Sequence, residues 1–314
     1  MTTLIKTIED FQKYCTISYN FSLPTIQPYL VKADRKYLKR YLSKELYKNY
    51  AVTKPTDETA LEVYDLLQEA SANIALLYYT KVGIIHITDG GFSIAQNEKT
   101  KPAEWWQVRD LRRQLLETGM EAIDDALRIM QSKSGETFKL WKDSDAYTEF
   151  SEFFTQTTDD FQKRYNINES RITFINLKPH IKRTEAKYFK SVLGKETIAK
   201  IKLADNDFRK KAKELAKDAQ VDFTISEIAN EGAFIFKPNG LFLLNDEIPG
   251  KDKSELSENQ LYTLSRVKKE SANEHLKDLV KYLNENETEF PEFATIKKVS
   301  YQSTVHNTGS IVSF

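Results

Sequence analysis

PYLVKADRKYLKRYLSKE, residues 28–45, returns without a gap as PHIKRTEAKYFKSVLGKE, residues 179–196. At this shift (179 − 28 = 151) the identical pairs are Pro28/Pro179, Lys36/Lys187, Tyr37/Tyr188, Lys39/Lys190, Leu42/Leu193, Lys44/Lys195 and Glu45/Glu196. Leu30/Ile181, Lys32/Arg183, Asp34/Glu185 and Leu38/Phe189 keep their chemistry. Upstream, EDFQKY (9–14) is echoed by DDFQKR (159–164). Downstream, VGIIHITDGGFSI (82–94) finds a counterpart in GAFIFKPNGLFLL (232–244), with Gly83/Gly232 and Gly91/Gly240 both 149 apart. EAIDDALRIM (121–130) matches EHLKDLVKYL (274–283) at a shift of 153. A shift that drifts by two or three residues is what small loop insertions produce. The chain is therefore read as an internal duplication of a unit far longer than a solenoid repeat.

The boundaries this implies are a first repeat at 1–131, an aromatic-rich linker at 132–157, a second repeat at 158–284 and an extended C-terminal arm at 285–314. Each repeat reads as helix, long helix, hairpin, long helix, so the fold class is mainly α with β-hairpins, an α+β pair of helical-bundle units. Tyr37, Leu38, Tyr41 and Leu42 form one apolar stripe at helical spacing. Pro28 suits the first turn of that helix, where its missing N–H costs nothing. The second helix is expected after Pro55, with Thr56 as its cap and Asp57 and Glu58 in the first turn. Ile84–Thr88 and Phe92–Ile94 flank Asp89-Gly90-Gly91, and Phe234–Phe236 and Leu241–Leu244 flank Lys237-Pro238-Asn239-Gly240; Asp-Gly and Asn-Gly are hairpin-turn chemistry. The third helix is expected over Trp105–Met130, with Val108, Leu111, Leu115 and Ile123 inward, and its twin over Glu258–Leu283. The linker carries Phe138, Trp141, Tyr147, Phe150, Phe153 and Phe154 and so is not a flexible tether; Tyr147, Phe150 and Phe154 suit one face of a short helix.

Lys and Arg number 46 and so do Asp and Glu, in 314 residues. Zero net charge argues against a wholly basic nucleic-acid or anionic-membrane module and leaves room for a local patch. Cys15 is the sole cysteine, which excludes an intrachain disulfide and fits a reducing compartment. The sequence MTTLIKTIEDFQKY has no basic segment followed by a long apolar run, and the most apolar stretch, IALLYYTKVGIIHI, is broken by Lys81 and Gly83. A soluble protein made in the cytoplasm is expected, with no membrane partner.

No catalytic constellation stands out. His86, His180, His275 and His306 show no metal-ligand spacing, and one cysteine cannot build a zinc site. The acidic run Glu121, Asp124 and Asp125 reads as a solvated face. No catalytic residue, metal ligand or cofactor is therefore expected, and the protein is expected not to be an enzyme. The best basic-aromatic stretch is WWQVRDLRRQ, where Trp105 and Trp106 read as core anchors and Arg109, Arg112 and Arg113 as a wet helix face that could serve as a basic patch.

PYLVKADRKYLKRYLSKELY, preceded by DFQKYCTISYNFSL, resembles an uncharacterised family encoded by Bacteroidetes phages and prophages, whose members show a phrase like "KPYI…AE.KYI..LLG.E". Pro28, Tyr29, Tyr37, Leu38, Leu42 and Glu45 fit, and Val192-Leu193-Gly194 fits the LLG element. Ser43 and Asp34 depart from it, standing where Gly and Glu are usual. A looser likeness, helices with a hairpin between them, is similar to the head–tail connector (adaptor) fold of tailed phages. That resemblance implies a virion structural protein at the head–tail junction, made in the host cytoplasm and assembled as a homo-oligomeric ring docking between portal and tail proteins, with genomic DNA passing through its channel. It assigns subunit contacts to the hairpins (Thr88, Asp89, Gly90, Gly91, Phe92; Lys237, Pro238, Asn239, Gly240) and to the arm (Tyr301, Ile311, Val312, Phe314), which could add a strand to a neighbour. A tail-completion or capsid-associated protein and a nucleic-acid-binding factor are the alternatives.

Overall fold

A computed structural model describes residues 2–18, 21–83, 85–88, 91–94, 103–133, 136–145, 147, 152–229, 231, 234–237, 240–243 and 256–293, with the first hairpin and residues 237, 242 and 243 given by backbone only. The fold is mostly helical, and the chain divides into two compact units that meet in sequence at Thr148 and Glu149. Among the described residues no helix is long and apolar enough to cross a membrane.

The first unit runs α1 Ile8–Gln12, α2 Leu23–Ala33, α3 Lys44–Val52, α4 Glu58–Tyr79, β1 Ile85–Thr88, β2 Gly91–Ile94, α5 Trp105–Ser132 and α6 Lys139–Lys142. The second runs α7 Thr158–Gln162, α8 Arg171–Thr184, α9 Lys190–Leu203, α10 Asp207–Ile228, β3 Phe234–Lys237, β4 Gly240–Leu243 and α11 Glu258–Glu285. The shifts read from sequence recur in the elements. Thr7 and Thr157 cap α1 and α7, each accepting an N–H three residues on. The helices α4 and α10 have 22 residues each, and α5 and α11 have 28. Gln107 and Gln260 reach back to the N–H groups of Glu104 and Ser257, at 3.0 and 2.8 Å, closing the same capping box at the start of α5 and α11. The hairpins share one antiparallel register, with Thr88 opposite Gly91 and Lys237 opposite Gly240.

Both α2 and α8 pass into a single π-helical turn, Asp34–Leu38 and Glu185–Phe189, where Lys39 and Lys190 donate their N–H to the carbonyl five residues back. Each helical run then breaks at equivalent residues. Ser43 is extended and caps α3 by accepting the Leu46 N–H at 2.9 Å. Gly194 interrupts α9 at φ 72°, ψ 162°, backbone that a side chain resists.

The structure corrects four expectations. Pro28 lies inside α2 rather than in its first turn, as Pro179 lies inside α8; α2 begins earlier, with Pro24 among its first residues, and does without one backbone hydrogen bond. The cap of α4 is Asp57, whose carboxylate accepts the Ala60 N–H at 2.9 Å, and not Thr56. The span 132–157 is no separate linker. Phe138 and Trp141 are buried in the first unit, where the Trp141 indole donates to the Tyr41 carbonyl at 3.2 Å and Ser43 donates to the Leu140 carbonyl at 2.9 Å. Phe290 and Phe293 hold the equivalent places in the second core, 152 residues on, so the arm drawn from 285 begins too early. Phe153 and Phe154, with Thr155, belong to the second unit as Thr3, Leu4 and Ile5 belong to the first. Each unit therefore opens on a buried strap ahead of its capped first helix and closes on two aromatics spaced i, i+3. Tyr147 does pack, against Trp141 at 4.7 Å, while Phe150 lies outside the described residues.

The helices α4 and α5 cross at a small residue. A Cβ on Gly119 would stand 2.7 Å from Ile74 Cγ1, and the second unit has Ala272 at this position, fully buried. α5 is six residues longer than α4 (28 − 22), and its buried residues run only from Leu115 to Met130, so its first turns lie ahead of the packed part.

Candidate functional site

The two π-turns each bury an acid at their first residue. In the first unit, Asp34 Oδ2 accepts from Tyr47 Oη at 2.6 Å and Oδ1 from Ser71 Oγ at 2.5 Å. Burial pushes the Asp34 carboxyl up, against those two hydroxyls, the Leu4 N–H and the charge of Lys39. Leu4 is itself pinned, because its carbonyl accepts from Gln68 at 2.9 Å and from Tyr64 at 3.1 Å. In the second unit the acid is Glu185, also pushed up by burial, and its partners are Lys202 and Gln220. Gln220 occupies the place of Ser71 and spans both tasks: its amide nitrogen donates to Glu185 at 3.0 Å while its oxygen accepts the Thr155 N–H of the strap at 2.8 Å. These centres join strap, π-turn and long helix. Their acids are buried or nearly so and each is hydrogen-bonded, so the centres organise the fold.

The outer faces of the same turns differ in charge. Arg183 and Lys187 of the second unit pair with Glu231 and Glu227, the latter pair at 2.7 Å. His180 joins this network 3.1 Å from Glu231 and edge-on to Phe234; burial lowers its pKa. In the first unit Tyr78 stands where Glu227 would, and Val82 where Glu231 would. Lys32 and Lys36 consequently lie over the Tyr78 ring, 4.2 and 5.9 Å from its centroid, with Lys81 at 5.2 Å. Further along the turn, Arg35, Lys39, Arg40, Lys44 and Lys48 line a cleft of about 560 Å³ floored by Tyr47, and no acid lines it. The equivalents of Arg35, Arg40 and Lys48 in the second unit are Ala186, Ser191 and Ala199.

The residues singled out from sequence are placed as follows. Asp89, Gly90, Pro238, Asn239, Tyr301, Ile311, Val312 and Phe314 lie outside the described residues, and Thr88, Gly91, Phe92 and Lys237 are described by backbone alone. Gly240 is not at a free tip. Its φ of 149° brings it against Asn166 of its own unit, whose carbonyl accepts the Leu241 N–H at 3.0 Å. Phe234, Phe236 and Leu241 are buried among Phe161, Phe174 and Ile225, so the second hairpin is docked along its unit by an apolar face. Arg109 pairs with Asp110 at 2.9 Å and stacks 5.1 Å from the Trp105 ring, while Arg112 and Arg113 are half-buried. The tryptophans are no core anchors: Trp105 is 71% exposed, Trp106 49% and Leu111 49%. They stand on the N-terminal part of α5, ahead of its first buried residue, Leu115. Tyr262 and Val267 are the exposed large apolar residues of the corresponding end of α11.

Sequence reasoning took Asp34/Glu185 as a conservative pair and did not weigh the charge of the lysine- and arginine-rich run 32–48. The signal for the second was present: Lys32, Arg35, Lys36, Lys39, Arg40, Lys44 and Lys48 against Asp34 and Glu45. Among the described residues no group of three or more His, Cys, Asp or Glu is placed to hold a metal ion. The model of a family of unknown function (DUF6712) matches the chain at residues 27–151 and again at 177–303. No curated protein and no solved structure matches it.

Proposed function

Because this chain belongs to DUF6712, carrying the family's domain twice, we propose that it acts by assembly rather than catalysis, as a ring-forming head–tail connector or adaptor of a phage virion, docked between portal and tail. The observation that carries the reading is the wet apolar end of α5. Trp105, Trp106 and Leu111 lie on a helix whose other half is packed against α4, and large aromatic side chains of this kind anchor interfaces. A second support is repetition. Each unit sets a hairpin between two long helices, so one chain presents two related pairs of elements, and the side chains that differ between the copies supply the unlike surfaces a head-to-tail ring contact joins. On this reading the hairpin turns and the segment beyond residue 293 supply further contacts, and a tail-completion or capsid-associated role differs only in position within the particle.

Two measurements test it. Mass spectrometry of purified particles from a strain carrying the gene should find the chain in stoichiometric amount; absence from the particles overturns the virion reading. Electron microscopy of purified protein, alone and mixed with portal, should show closed rings that Trp105→Ala/Trp106→Ala abolishes while circular dichroism is unchanged. Rings that survive the double substitution move the interface away from α5.

A further inference from the structure

We infer that the π-turn corner of the first unit, the cleft lined by Arg35, Lys39, Arg40, Lys44 and Lys48, is a docking surface for the phosphate backbone of duplex nucleic acid. This goes beyond the assembly reading and does not depend on it.

Three observations carry it. The first is concentrated positive charge. Arg35, Lys39, Lys44 and Lys48 form no ion pair with any described residue, and Arg35, Arg40, Lys44 and Lys48 are exposed. Of the nearby acids, Asp34 feels the charge of Lys39 but lies beneath the turn, hydrogen-bonded to Tyr47 and Ser71, and Glu45, on the same helix as Lys44, stands outside the lining. The second is preorganisation. The Lys39 ammonium lies 4.5 Å from the centre of the Tyr47 ring and the Arg40 guanidinium 5.5 Å from that of Tyr41, so ring faces hold both charged heads in place at the cleft. Ser43 directs the positive end of α3 into the same corner, with Lys44 as the first helical residue. The third is the contrast between copies. One ancestral turn has kept its lysines at 36, 39 and 44 as at 187, 190 and 195, yet only the first copy adds Arg35, Arg40 and Lys48 and replaces the acids facing its outer cations by Tyr78 and Val82. A merely solvated face gives no reason for both changes to fall on one side.

The partner follows from geometry. Cations spread along a turn and a helix end, with arginine forks among them, suit a row of phosphates; base edges find no donor and acceptor pattern here, so the contact is independent of sequence.

The test uses the full chain and a fluorescent duplex of about 30 base pairs, with anisotropy followed from about 50 to 200 mM salt. Binding should weaken steeply with salt, the logarithmic slope falling by about 0.9 for each phosphate engaged. Arg40→Ala/Lys44→Ala/Lys48→Ala should weaken binding roughly tenfold or more and lessen the slope by about 3, with an unchanged circular dichroism spectrum. Lys190→Ala/Lys195→Ala, in the second unit, should leave affinity within about twofold. Failure of the duplex to bind at low salt overturns the inference, as does an equal loss from the second-unit variant. Displacement of the duplex by polyglutamate of matched charge at lower concentration than by unlabelled duplex overturns it in favour of an acidic protein segment.

Discussion

The two units are one fold solved with different chemistry. Where the first has Asp34 under two hydroxyls, the second has Glu185 against Lys202 and Gln220. Where the first gathers Lys32, Lys36 and Lys81 about an aromatic ring, the second neutralises Arg183 and Lys187 with Glu231 and Glu227. A crossing that requires glycine at 119 accepts alanine at 272. Backbone and packing are thus held in common, and polar side chains are what each copy is free to change. What the copies share reports on folding; what separates them reports on use.

The largest expected effect breaks one unit and spares the other. Trp141→Ala removes a fully buried indole and its hydrogen bond to Tyr41, and should cost about 3–5 kcal/mol. Hydrogen-exchange mass spectrometry should show protection falling in 2–147 and not in 152–293, with Phe290→Ala giving the opposite pattern. Equal loss in both units from either substitution would show that the copies fold as one cooperative body.

Next comes the acid of the second unit. Glu185→Ala strips Lys202 of its counter-charge and Gln220 of an acceptor, at a site where Glu185 and Lys202 keep little exposure. A cost of about 2 kcal/mol is expected, below the value for a fully buried pair because both groups retain some solvent. The readout is the urea midpoint of the second unit; a cost below about 0.5 kcal/mol would mean that Lys202 finds water as readily as it finds Glu185.

Glycine and alanine at the helix crossing should exchange unequally. Gly119→Ala drives a Cβ into Ile74 and should destabilise the first unit by about 1–3 kcal/mol despite the better helix propensity of alanine. Ala272→Gly should cost about 1 kcal/mol, from backbone entropy and one lost methyl. A stabilised Gly119→Ala protein would show that α4 and α5 can move apart at the crossing.

How much of this could be read from the chain follows the same division. Identity at Pro28/Pro179 and Tyr37/Tyr188, together with shifts of 151, 149 and 153, gave the duplication, the hairpins and both long helices, because those features rest on periodicity and turn chemistry. The straps escaped notice because Leu4/Phe154 and Ile5/Thr155 share burial and no identity. The closing pairs Phe138/Phe290 and Trp141/Phe293 were visible as i, i+3 aromatics, but Phe138 and Trp141 sat in a stretch read as a linker and Phe290 and Phe293 in one read as an arm. The π-turns have no periodic signature of their own; an added residue per turn is indistinguishable from a slight slip of an α-helical stripe. Exposure of Trp105 and Trp106 depends on where the packed part of α5 begins, which is a matter of packing and not of composition. The basic corner was hidden by averaging, since its cations are offset by acids elsewhere to a net charge of zero.

The smallest effect sharpens the comparison most. Asp34 and Glu185 are both raised by burial, but only Glu185 has a cation within hydrogen-bonding reach. An aspartate in the unfolded chain ionises near pH 3.9, whereas folded Asp34 holds its proton to higher pH. Its contribution to stability is therefore complete below about pH 3.9 and is lost as pH rises through the folded value. Asp34→Asn keeps an oxygen for the Ser71 hydroxyl and removes the charge. The variant should match the parent in acid and, as pH is raised towards neutrality, lose less stability than the parent. Thermal denaturation of the first unit across pH 4–7 checks this. Parallel curves for parent and variant would mean that the hydroxyls and the strap N–H solvate the carboxylate as well as water does, and that burial sets the turn's geometry without setting its charge.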